Sequence, residues 1–232
     1  MKLFLKVLCI ILLLACVFLS AVTALEYRPE ATEALTVNGA ADGALREGDS
    51  LRVLSWNIGY GALGNNADFF MDGGKMVDTA DEGRVWQNIE SIAGFAASVE
   101  PDVLLLQEAD RDSTRSHHID ETAALAEAFP GTARTFANNF KVAFVPYPLP
   151  PIGKVDSGLL MDASVPTCRS LDQPYIGTHR GPDHDFASDG FQYYAIDGFI
   201  VSDNVTVTRL ETLDQAFVAT DHNPVMLEAV LN

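Results

Sequence analysis

Cysteine is scarce in this chain, and basic residues are few. Two of its three cysteines, Cys9 and Cys16, fall in an N-terminal apolar run. A body without that run keeps Cys168 alone, so no internal disulfide framework can form there. Fifteen Lys and Arg stand against thirty-two Asp and Glu, a formal charge of −17 over 232 residues. Nonspecific grip on a nucleic-acid backbone comes mostly from Lys and Arg displacing counterions, so duplex nucleic acid is disfavoured as a partner. A small phosphate ester held through a divalent cation is not excluded, because a carboxylate site with its ion sets its own local field. A zinc template is missing as well. His179 and His184 stand five apart in a polar, turn-rich stretch with Arg169, Asp172, Tyr175 and Asp185, and Cys168 reads as a lone small residue.

What is present begins with a targeting device. Lys2 and Lys6 precede an apolar run over residues 7–19, and small residues follow, with Val22 and Ala24 placed for cleavage after Ala24. Left uncut, the run is almost long enough to span a bilayer. Leu13, Leu14, Ala15 and Cys16 are also similar to a bacterial lipoprotein signal, although apolar residues follow the cysteine. Cleaved signal, retained anchor and lipid anchor all put the body outside the cytosol, the last two in association with a membrane. Residues 25–50 read as a spacer, with an edge strand around 34–37 as the alternative, and residues 51–232 as one domain.

That domain opens on residues 51–59, a buried strand delivering Asn57 to the mouth of a site. Residues 59–80 form a long connection with Asp68, Phe69, Phe70 and Met71. It is either a lid or substrate rim, or a loop that packs its own phenyl rings. Val85, Ile89, Ile92, Ala96 and Val99 recur at helical spacing, opened by Asp81 or Glu82 and stopped by Pro101. Val103 to Leu106 then give a second buried strand, completing a βαβ-like opening. Glu108 ends this run, either as a cap or as a ligand for a hard cation. The polar loop after it offers Arg111, Arg115, His117 and His118 to a phosphate. A short helix is expected over 121–129, then strands over 132–137 and 141–145 joined by a hairpin turn at Asn138 and Asn139. A proline-stiffened segment, 146–151, leads to a strand over 154–160.

The C-terminal third holds a strand over 191–201 broken by Asp197, and a small loop, Asp221-His222-Asn223-Pro224, ahead of a closing strand over 225–231. In the bland reading Asp221 caps its own turn. In the functional one Asp221 binds a metal or orients water, His222 contacts phosphate, and Asp197 fixes the tautomer and charge of His222 through its second nitrogen.

The ordered set Ser55-Trp56-Asn57, Leu106-Gln107-Glu108, Ile196-Asp197-Gly198-Phe199 and Asp221-His222-Asn223-Pro224 resembles the endonuclease/exonuclease/phosphatase superfamily of metal-dependent phosphoesterases. The resemblance implies an α+β fold, a four-layer α/β sandwich of two mostly antiparallel sheets flanked by helices. It implies Mg²⁺ or Mn²⁺ on Glu108, with Asn57 orienting phosphate or metal and Asp221 as the metal-side or water-side acid. It makes His222 the holder of the scissile phosphate and Asp197 its acid partner. Two family blocks are absent, a histidine at a strand end and the Gly-Asp-x-Asn motif that activates water. Gly48-Asp49 is the sole Gly-Asp pair and precedes Asn57. The strand ending at Leu160 runs almost at once into a turn-rich stretch, where relatives continue through further strands, so an internal deletion near 160 leaves the sandwich incomplete. The expected function is a secreted or surface-attached phosphoesterase acting on a small phosphate ester or a lipid headgroup, the latter favoured by Phe69 and Phe70. The alternative is an inactive truncated relative that binds or is a remnant. A third reading has the absent strands supplied by another chain, although no motif indicates an obligate protein partner.

Overall fold

A computed structural model describes residues 2–29, 33–41, 45–164 and 197–232, with the backbone of 179–180 and 193–194. Helix α1 (Lys2–Ala24) has a mean hydropathy of 2.9 in its most apolar window and no buried residue, so it is long and apolar enough to cross a membrane. It meets the body where the Phe18 and Phe144 rings pack edge to face at 6.0 Å, and just past its end the Tyr27 N–H donates to the Lys141 carbonyl at 2.9 Å.

The body is a mixed α/β fold built on one seven-stranded sheet. Its strands are β1 (Val37–Asn38), β2 (Ser50–Asn57), β3 (Val103–Asp110), β4 (Ala133–Val145), β5 (Gly153–Ala163), β8 (Val205–Thr212) and β9 (Val225–Leu231), in the order β1-β4-β5-β3-β2-β9-β8. Two-residue strands β6 (His179–Arg180) and β7 (Tyr193–Tyr194) form a separate ribbon. Every neighbouring pair in the large sheet is antiparallel except β2 and β3, which run parallel. Such a pair needs a crossover, and α2 (Glu82–Val99) supplies it. Asp81 caps α2 by accepting from the Arg84 N–H at 2.8 Å, and Glu100, left-handed at φ 52° just before Pro101, ends it.

Strand alternation sorts the core onto two faces. Leu54, Trp56, Leu104, Leu106, Phe136 and Leu160 pack under α2, through Val85, Ile89, Ile92 and Ala96, and under α3 (Glu121–Ala126), through Leu125. Leu51, Val53, Val103, Ala163, Leu227 and Ala229 face the other way, where Phe199, Val201, Val205, Val207 and Leu210 cover them in part. Among the described residues the second sheet of the expected sandwich is represented only by the two-stranded ribbon.

Several local expectations change. The hairpin at Asn138 and Asn139 does not form. A two-residue turn of that kind needs positive φ at both residues, and neither has it. Instead β4 is one continuous strand pairing β5 along its length, and the asparagines sit at a bulge between Asn138 and Phe140. Residues 197–200 are not strand; Phe199 and Val201 pack against the sheet face. The helix expected over 121–129 ends at Ala126, and β3 continues past Glu108 to Asp110. The loop with Phe69 and Phe70 packs its own rings, at 5.0 Å, and Phe69 lies edge-on to Tyr60 at 6.3 Å. Cys168, Arg169, Asp172, Tyr175, His184 and Asp185 lie outside the described residues, as does the side chain of His179.

Candidate functional site

Topology brings the site together at one end of the sheet. β2 and β3 are in register from Val53 opposite Val103 to Asn57 opposite Gln107, so their C-terminal ends reach the same edge. β9 runs antiparallel to β2, and Val225 pairs with Ser55, so the loop holding Asp221 and His222 arrives at that edge too. Two hydrogen bonds fix it there. Trp56 Nε1 donates to the His222 carbonyl at 2.8 Å, and Thr220 Oγ1 donates to the Asn57 carbonyl at 3.0 Å. The indole of Trp56, buried under α2, thus spends its polar end on the loop that carries the histidine.

Glu108 reaches the site through a β-bulge. Along β3 against β5, Leu106 pairs with Leu160 but Ala109 pairs with Gly158, an extra residue on β3, and Glu108 has φ 55°. Regular alternation would send Glu108 the way of Leu104 and Leu106, into the helix-facing core; the bulge re-aims it. Gly158 is required opposite, since a Cβ there would stand 2.2 Å from the Ala137 carbonyl oxygen. Asn57 accepts from the Gly59 N–H at 2.9 Å through Oδ1 and hydrogen-bonds the Glu108 carboxylate. Gly59 itself, at φ 51°, leaves room for Asp221, whose Oδ1 would stand 3.2 Å from any Cβ.

His222 Nδ1 is hydrogen-bonded to Asp197 Oδ2 at 2.8 Å. Burial disfavours the imidazolium, but the Asp197 hydrogen bond and the carboxylates of Asp221, Asp197 and Glu108 outweigh it and hold the pKa above the ordinary histidine value. Glu108 is pushed up mainly by burial and also by Asp221, against the opposing pull of Asn57, Arg115 and His222. Glu108 and Asp221 thus bring two carboxylates to one place. Hard oxygen donors of this kind suit Mg²⁺ or Mn²⁺, which bind through one or two carboxylates and keep several waters. Among the described residues no group of three or more His, Cys, Asp or Glu side chains could hold a metal ion, so a closed all-protein cage is not built.

The loop residues expected to line phosphate are committed elsewhere. Arg115 forks onto buried Asp110, Nε to Oδ2 at 3.1 Å and Nη2 to Oδ1 at 3.0 Å, and lies 3.6 Å over the Tyr60 ring. Arg111 lies 3.8 Å over Phe136. His117 Nε2 meets the Ala80 carbonyl at 2.8 Å, and His118 Nδ1 meets Asp112 Oδ1 at 2.6 Å. Sequence reasoning gave no part to Thr220 or Tyr60. The phenol of Tyr60 is raised well above its ordinary pKa by burial, opposed by Arg115 and reinforced by Glu108, Asp221 and Asp110. Its hydroxyl has no hydrogen-bond partner among the described residues.

Comparison with solved structures gives a distant match of probability 1.00. The chain is similar to an endonuclease/exonuclease/phosphatase from Beutenbergia cavernae DSM 12333, at a TM-score of 0.45 and 15% sequence identity, over 81% of this chain and 72% of that one. No protein-family model matches the chain, and no curated protein does.

Proposed function

We propose that this chain is an exported phosphate-ester-binding protein, held at the outer face of a membrane or released from it, that keeps the phosphate and metal clamp of a phosphoesterase without its water activator. The observation that carries the reading is the Asp197–His222 pair, tied by Trp56 and Thr220 onto the end of the sheet where Asn57 orients Glu108. With Asp197 on Nδ1, the imidazolium of His222 would bring positive charge to a phosphate oxygen, a charge-assisted interaction of the stronger kind. Glu108 and Asp221 would hold Mg²⁺ or Mn²⁺, and the ion would supply Lewis-acid polarisation of the phosphate. The acidic surface, −17 overall, supports a small ester or a lipid headgroup over a nucleic-acid backbone. The 23-residue apolar helix supports export or anchoring.

A second reading, an active phosphoesterase, is favoured by the same histidine–aspartate pair. Against it stands the absence of any Gly-Asp-x-Asn sequence after Asn57, since a positioned general base contributes about 10²–10⁴-fold. Hydrolysis of bis(p-nitrophenyl) phosphate with Mn²⁺ separates the two. The binding reading expects phosphate to bind in a His222-dependent way, with turnover no greater than in His222→Ala. Turnover that disappears in His222→Ala would establish the enzyme instead, and absence of both binding and turnover would end both readings.

A further inference from the structure

A cavity of about 50 Å³ opens between the loop of residues 59–80 and the β4–β5 end of the sheet. Phe69, Met71, Val77 and Phe140 give its apolar walls, and Tyr60 and Arg115 lie at its polar end. A buried water needs about 10–15 Å³ of such space, so the cavity has room for roughly three or four groups of that size, the bulk of a short alkyl chain. Through Tyr60 and Arg115 it neighbours the site above, since both feel the Glu108 carboxylate. Tyr60 is 2% exposed, and it shares its turn with Gly59, which abuts Asp221. The Arg115 guanidinium stacks on its ring at 3.6 Å. Tyr60 also holds a left-handed backbone, φ 41° and ψ 36°, uncommon for an aromatic residue and costly unless its surroundings impose it. Its buried hydroxyl has no hydrogen-bond partner among the described residues, so an apolar group entering beside it breaks no bond. Asp78, also on the lining, repels a second phosphate, so the group that enters is the uncharged one.

We propose that this cavity is the subsite for a short alkyl group of the phosphate ester, with Tyr60 and Arg115 lining the side that faces the phosphate. The subsite rests on the phosphate site argued above. An ester with an alkyl arm occupies both, and inorganic phosphate or methyl phosphate occupies the first alone. Burying three further methylenes against half-open walls gives butyl phosphate an advantage of about tenfold over methyl phosphate, less than full burial would provide.

The test uses the full chain in phosphatidylcholine vesicles with Mn²⁺, titrated calorimetrically with inorganic phosphate, methyl phosphate and butyl phosphate. The expected result is similar affinity for the first two and tighter binding of the third. In Phe140→Ala and Val77→Phe the butyl-to-methyl ratio should fall toward one. Phe140 is 42% exposed, so its replacement leaves the fold intact even if the bulkier change at Val77 does not. Equal affinity for methyl and butyl phosphate in the wild type would overturn the subsite while leaving the phosphate site standing. Failure of all three to bind would overturn the phosphate site and the subsite together. Adding phosphatidic acid to the vesicles distinguishes the sources of the ester: suppressed butyl phosphate binding assigns it to a lipid, and undiminished binding to a soluble compound.

Discussion

Strand β3 carries two acids, half-buried Glu108 and buried Asp110, and they end in opposite circumstances. Asp110 is fully sequestered and fully matched: Arg115 forks onto it, Ser116 Oγ donates to it at 3.0 Å, and its own N–H donates to Glu121 Oε2 at 2.9 Å. Burial raises the Glu121 carboxyl well above the ordinary glutamate range, and the Asp110 charge adds to that. The second Glu121 oxygen, Oε1, is buried with no hydrogen-bond partner among the described residues. Glu108 lies beside Asp221 and has Asn57 as its hydrogen-bond donor, and its pKa is raised. The Asp110 carboxylate is matched as it stands. In the reading proposed above Glu108 takes a cation, and that difference separates a structural ion pair from a binding site on one strand.

The largest effect should come from breaking the Asp110–Arg115 pair. Arg115→Ala leaves Asp110 buried and unpaired, a loss of about 3–5 kcal/mol, read as a fall in the urea midpoint at unchanged m-value. Next is the Glu108 site. Glu108→Gln should leave stability without metal unchanged or slightly higher, because a desolvated charge is removed, while abolishing the metal-dependent gain, about 2.7 kcal/mol at a hundredfold excess over Kd. If instead Glu108→Gln unfolds the chain and Arg115→Ala does not, the assignment of roles is reversed.

A pH titration sharpens the contrast. A carboxyl whose pKa is raised on folding binds more protons in the native state, so stability falls as pH rises from the ordinary glutamate range through the folded-state pKa of Glu121, by up to about 1.4 kcal/mol per pH unit. Glu121→Gln keeps the acceptor for the Asp110 N–H and should flatten that slope in urea titrations run across pH. The smallest effect is expected at Tyr60. Tyr60→Phe removes a buried hydroxyl that has no partner among the described residues, so the melting temperature should hold or rise, by up to about 1 kcal/mol in stability. A clear drop would mean that the hydroxyl is already satisfied.

The sequence showed much of this wherever the signal is local. The periodicity from Val85 to Ala96, the Asp81 cap and the stop at Pro101 placed α2, and the apolar run ending in Asn57 placed β2. Asn57, Glu108, Asp197, Asp221 and His222 were each legible as motif residues. How they meet was not, because that depends on register between distant strands. The bulge that turns Glu108 exists only in the pairing of β3 with β5, and the straight passage of β4 through Asn138 and Asn139 only in its pairing with the same strand. Arg115 read as a phosphate ligand because the acid that claims it, Asp110, stood nearby as one more polar residue of a loop. Trp56 was visible as part of a motif, but its hydrogen bond to the His222 carbonyl spans most of the chain.

The central claim is that the end of the sheet holding Asn57, Glu108, Asp221 and His222 is a binding site for a metal ion and a phosphate. It is tested most directly by thermal unfolding of the full chain with and without Mn²⁺ and phosphate, in the wild type and in Glu108→Gln. The account predicts a cooperative transition that moves upward with Mn²⁺, moves further with phosphate, and loses the Mn²⁺ response in the variant. A wild-type transition indifferent to Mn²⁺, or an equal shift in Glu108→Gln, would contradict it.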